Sequence, residues 1–85
     1  MGGFEMGRNR FMNFENRKKI EELYGQGMAV AEIAACVGFN RASVYDELKR
    51  GFTGEMDKNG RPEYSAELAQ RKVFERRRAQ LAVSE

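Results

Sequence analysis

Hydrogen-bonding and charged side chains crowd the stretch from Asn40 to Arg50, NRASVYDELKR, and their types suit contact with a base-paired duplex. Arg41 can reach a phosphate or a guanine, Ser43 and Lys49 can bond base edges or phosphates, and Asp46 can accept from a cytosine amino group. The Ala42 methyl can touch a thymine methyl, while Asn40, Tyr45 and Arg50 border the set. A second cluster, Arg71 and Lys72 followed by Arg76, Arg77 and Arg78, is interrupted only by Glu75 among its charges. Three readings fit it: a solvated helix end, a phosphate clamp, or part of a charge pattern between subunits. The phosphate clamp is favoured. Asp46 and its neighbour Glu47 weigh against a purely electrostatic binder, because acids on a reading face weaken non-specific affinity and favour discrimination of sequence.

Other chemistries are excluded by composition. The chain has no histidine and one cysteine, which removes an intramolecular disulfide and makes a zinc site or a histidine-based triad implausible. No cofactor and no metal are expected. Cys36 stands beside Val37 in a helical pattern and reads as a small buried apolar residue. The pair Gly25 and Gly27 lacks the preceding strand and third glycine of a dinucleotide site, and reads as a helix stop. With 85 residues the chain holds one small domain, its core too modest for a large ligand cavity. The net charge is only +2, but a third of the residues are charged, so local clustering of the basic ones matters more than the total. Neither a membrane-length apolar run nor a secretory leader is visible, and a cytoplasmic location is expected.

The elements that must position these side chains follow from periodicity. Val30, Ile33, Ala34 and Val37 recur at i, i+3, i+4 and i+7, one face of a helix, and Gly38 follows where that helix must stop. Asn40 can cap a second helix whose inward stripe is Val44 and Leu48. Two short helices about a glycine turn make a helix-turn-helix, with Ala34 small enough for a close crossing. Upstream, Asn13 can cap a helix carrying Ile20, Leu23 and Tyr24 on one face, with Gly25 or Gly27 at its end. Residues 1–13 read as a flexible arm, whose Arg8 and Arg10 could either enter a minor groove or stay solvated. Residues 14–85 then form the domain. Between Gly51 and Glu63 the breakers Asn59-Gly60 and Pro62 mark a turn, and both a small hairpin and a plain loop fit. Ser65 can cap a last helix, with Glu67 at its start and the arginine triplet near its end. Its apolar residues, Tyr64, Leu68, Val73, Phe74 and Leu81, do not share one stripe. Tyr64 and Leu68 are available to the core, and Val73, Phe74 and Leu81 to a second copy or another protein. The expected fold is all-α: a three-helix helix-turn-helix core plus a longer C-terminal helix.

The run Gly38-Phe-Asn-Arg-Ala-Ser-Val44-Tyr-Asp-Glu47-Leu48-Lys49-Arg50 resembles the recognition half of the N-terminal DNA-binding domain of insertion-sequence-thirty family transposases. The preceding FENRKKIEELYGQGMAVAEIAACVG is similar to that family's opening helices, and Tyr64-Ser-Ala66-Glu-Leu-Ala69 to its Tyr-x-Ala-x-x-Ala segment. The likeness spans about Phe14 to Arg78 and departs at Asn40-Arg41, where the family carries Ser-Pro. It implies an origin near mobile elements of a bacterium or phage. No catalytic region follows it in these residues, so no enzymatic activity is expected. The expected function is sequence-specific binding of double-stranded DNA, as a transcriptional regulator of a mobile element or phage, with a homodimer through the C-terminal helix. Two alternatives stand beside it: an accessory DNA-binding factor in transposition or recombination, and a protein-interaction module that does not bind DNA.

Overall fold

The computed structural model describes residues 11–83, with side chains through Arg78. Helix α1 spans Phe14–Gly25, α2 Val30–Val37 and α3 Arg41–Arg50; strands β1, Phe52–Met56, and β2, Pro62–Tyr64, follow, and then helix α4, Ala66–Val83.

Local chemistry sets most of these limits. The Asn13 side chain accepts from the Asn16 N–H at 2.8 Å, and the Asn16 side chain accepts in return from the Asn13 N–H at 3.0 Å. This reciprocal box ties up amides that the first helical turn leaves without carbonyl partners. Helix α1 ends at Gly25, and Gly27 takes the positive φ that turns the chain. Gly38 closes α2 with φ 80°, its N–H donating to the Ala34 carbonyl at 2.9 Å. The Asn40 side chain accepts from the Ser43 N–H at 2.8 Å and starts α3, as expected for an N-cap. Ser65 does the same for α4, accepting from the Leu68 N–H at 3.1 Å.

Ile20, Leu23 and Tyr24 of α1, Ile33, Ala34 and Val37 of α2, Val44 of α3, Tyr64, and Ala66 and Ala69 of α4 form the core. Ala34 lies buried where α2 crosses its neighbours, as its small size predicts. Cys36, in contrast, is exposed, which corrects the expectation of a buried residue. At 100° per residue it sits 200° around the helix from Ala34, on the far side from the core. In α4 the packing residues are two alanines, both fully buried, while Leu68 is only half-buried. Alanine lets α4 lie close against α1, and the Ala66 N–H accordingly donates to the Glu21 carboxylate at 3.0 Å.

The purely helical expectation needs one correction. Gly51 to Tyr64 is an antiparallel hairpin, with Phe52 opposite Tyr64 and Met56 opposite Pro62 and a bulge between. Its tip is a turn in which the Asp57 carboxylate accepts from the amides of Asn59, 2.8 Å, and Arg61, 3.0 Å. Those amides are the main cause of an Asp57 carboxyl held below its ordinary pKa. The tip is pinned to the end of α1. The Asn59 side chain donates to the Gly25 carbonyl at 3.1 Å, and Arg61 donates to the carbonyls of Tyr24, 2.7 Å, and Met28, 3.0 Å. The same guanidinium lies 3.9 Å from the Tyr24 ring centroid. A cation at a helix C-terminus and over an aromatic face is favoured by both contacts. Gly51 permits the return of the chain: a Cβ there would fall 2.5 Å from the Tyr64 ring and 2.7 Å from the Ser65 carbonyl.

Candidate nucleic-acid interface

Helix α3 is gripped from behind and open in front. On its inner side Val44 is fully buried and Glu47 is 1% exposed. Glu47 had been expected beside Asp46 on the reading face, and here the structure corrects the sequence reading. Its Oε2 takes a charge-assisted bond from Arg17 Nε at 2.7 Å and a second from the Tyr64 hydroxyl at 2.8 Å, while Oε1 pairs with Arg50 Nη1 at 2.6 Å. Arg17, itself buried on α1, extends the network through Nη1 to the Gln70 side chain of α4 at 2.7 Å. One carboxylate thereby ties α3 to α1, α4 and the hairpin. Its position follows from the helix: Glu47 lies 60° from Val44 in the direction opposite to Leu48, still on the inward half. Burial, and after it the negative charge of Glu47, holds the Tyr64 phenol far above its ordinary pKa. The phenol therefore stays a donor to the carboxylate throughout the neutral range.

On the outer side Arg41, Ala42, Asp46 and Lys49 are exposed, Tyr45 is 53% exposed, and Ser43 is half-buried. These expected contact residues share one open face of α3, with Asn40 exposed at its start. Arg50 is different. Its side chain is 30% exposed and one of its nitrogens is held by Glu47, which fixes the guanidinium at the edge of the face beside Ser43 and Asp46. Phe11 and Met12 border the same depression, so the chain arrives at α1 alongside the recognition helix. Arg8 and Arg10 lie outside the described residues.

Arg76, Arg77 and Arg78 are exposed on α4. The last described α4 side chain bonded to the core is Gln70, and the helix continues to Arg78 for about 12 Å at 1.5 Å per residue. Along this reach Val73 is half-buried and Phe74 is 53% exposed. The Leu81 side chain lies outside those described. Among the described residues no cluster of acidic or cysteine side chains could hold a metal ion, and no helix is long and apolar enough to cross a membrane.

Sequence reasoning missed Glu47 as the residue that positions α3. Its partner Arg17 lies 30 positions upstream, and nothing local connects the two. Comparison with curated proteins and with solved structures gives no significant match. A family described as helix-turn-helix domain matches residues 8–51, a stretch that takes in α1, α2 and α3 and stops at the glycine ending the recognition helix. A braced inner face, an open polar outer face and this match agree: the chain belongs to that helix-turn-helix domain family.

Proposed function

We propose that this protein binds double-stranded DNA with sequence preference through α3, without catalysis, as a cytoplasmic transcriptional regulator of a mobile element or phage. The observation that carries the reading is the division of α3. Val44 and Glu47 are locked inward, and Arg41, Ala42, Asp46 and Lys49 are left open on one face. A helix so held can present base-contacting side chains without first paying to order itself. The resemblance to insertion-sequence-thirty transposases supports the mobile-element setting, and a role as an accessory factor in recombination uses the same contacts. Position of the binding site separates these roles, since a promoter indicates regulation and an element end indicates recombination.

Asp46 gives the sharpest test. Titrate a duplex selected from a random pool, and a scrambled one, with wild type and Asp46→Ala at low and high salt. Removing the acid strengthens binding to the scrambled duplex, while the lost base contact costs ~1–3 kcal/mol on the selected one. Equal gains on both duplexes would mean that Asp46 reads no base. No retained duplex at all would leave the chain as a protein-interaction module. The arginine triplet acts on phosphates in this reading, so each contact removed flattens the logarithmic salt dependence by about 0.9 without changing preference. A homodimer through α4 belongs to the same proposal. Phe74 and Phe14, 53% and 39% exposed, border one shallow patch with Gln70 and Arg71, and sedimentation of the full chain tests whether a second copy covers it.

A further inference from the structure

The hairpin borders two depressions of opposite character. One forms an open groove with α3 and the start of α2, walled by Val30, Tyr45, Leu48, Phe52 and Pro62. The charged side chains along it are cations, Lys49 and Arg61, and no acid lines it. The other holds the carboxylates of Glu21, Asp57 and Glu63 with one cation, Lys58. Phe52 is 42% exposed and Tyr45 is 53% exposed, so the groove keeps a large aromatic surface in water. The ledge itself is firm, because Asn59 and Arg61 fasten its tip to the end of α1. Tyr45 and Lys49 belong at once to this groove and to the outer face of α3, which makes the two surfaces continuous.

We propose that the groove seats the sugar-phosphate backbone of the duplex that α3 reads, making the hairpin a second, sequence-independent DNA contact; this rests on the DNA-binding reading above. The occupant is chosen by charge and by continuity. Deoxyribose offers an apolar surface to Phe52, Pro62 and Tyr45, and the adjoining phosphate meets Lys49 on a rim without carboxylates. A duplex set against the other depression would meet three acids. The contact fixes the register and tilt of α3 in the major groove and carries no base information of its own.

The test places an acid in the groove at two separate points, Phe52→Glu and Pro62→Glu, in the full chain. Each variant is checked for a wild-type helical spectrum, and binding to the selected and scrambled duplexes is then titrated. Both substitutions lower affinity for both duplexes by about tenfold or more, because a carboxylate is set against a phosphate, and the ratio between duplexes is unchanged. Hydroxyl-radical footprints of folded variants lose protection at one flank of the site and keep its centre. If wild type binds and either folded variant binds as well as wild type, the groove holds no backbone and the proposal is overturned. A loss confined to the selected duplex overturns it too, since the groove would then read bases. Normal DNA affinity with lost self-association in the sedimentation assay would assign the groove to a second copy instead. A wild type that binds no duplex would remove the DNA-binding reading itself, and the groove's role with it.

Discussion

Replacing Glu47 with alanine tests whether the recognition helix is held by a buried charge network. Glu47 is 1% exposed and joins Arg17, Arg50 and Tyr64 through bonds of 2.6–2.8 Å. The substitution strands Arg17, whose side chain is 6% exposed, with only Gln70 still bonded to it, whereas Arg50 can turn outward into water. Removing one partner of a buried pair costs ~3–5 kcal/mol, mostly as the penalty of the charge left behind. A chain of 85 residues holds roughly 4–13 kcal/mol in all, so much of the stability is at stake. At a urea dependence of ~1 kcal/mol/M for a small domain, the midpoint falls by about 3–5 M, read by circular dichroism. The same logic makes a compensated variant informative. Arg17→Met with Glu47→Leu and Tyr64→Phe removes the charges and the buried hydroxyl together, and restores most of the loss. A stability for Glu47→Ala that lies within about 1 kcal/mol of wild type would refute the reasoning, because Glu47 would then be reaching water.

Two further outcomes follow from the core. Ala34→Leu adds three carbons at the buried crossing of α2 and lowers stability by ~1–3 kcal/mol, measured by the same urea titration; an unchanged midpoint would mean the helices do not cross there. Alkali is the other. Tyr64 and, through burial opposed by Arg61, Tyr24 have phenols raised above the ordinary 10.0, so the folded chain keeps protons that the unfolded chain gives up. Stability is therefore fully present below about pH 10 and declines as pH rises beyond it, a decline that Tyr64→Phe makes shallower in thermal melts. Parallel declines for the two proteins would place Tyr64 in contact with solvent.

What the sequence alone determined is what neighbours along the chain decide. Asn13, Asn40 and Ser65 start helices because a short polar side chain reaches an amide three residues ahead, and Gly38 stops one because it tolerates positive φ. The 3.6-residue period turned Ile33, Ala34, Val37 and Val44 inward and opened Arg41, Ala42, Asp46 and Lys49 outward. Without histidine the chain has no imidazole to serve as a metal ligand or a base.

Tertiary structure decided the rest. Charge alone argued Glu47 outward, and only the fold brings Arg17 from α1 and Tyr64 from the hairpin against it. A loop and a hairpin remained equal readings of Gly51 to Glu63, since the contacts that settle the matter reach from Asn59 and Arg61 back to Gly25, Tyr24 and Met28. Ala66 and Ala69 were not among the apolar residues named for the last helix, because their value lies in what they permit, the close approach of α4 to α1. In each case the deciding partner is far along the chain, and a buried charge or a close approach is favourable only once that partner is in place.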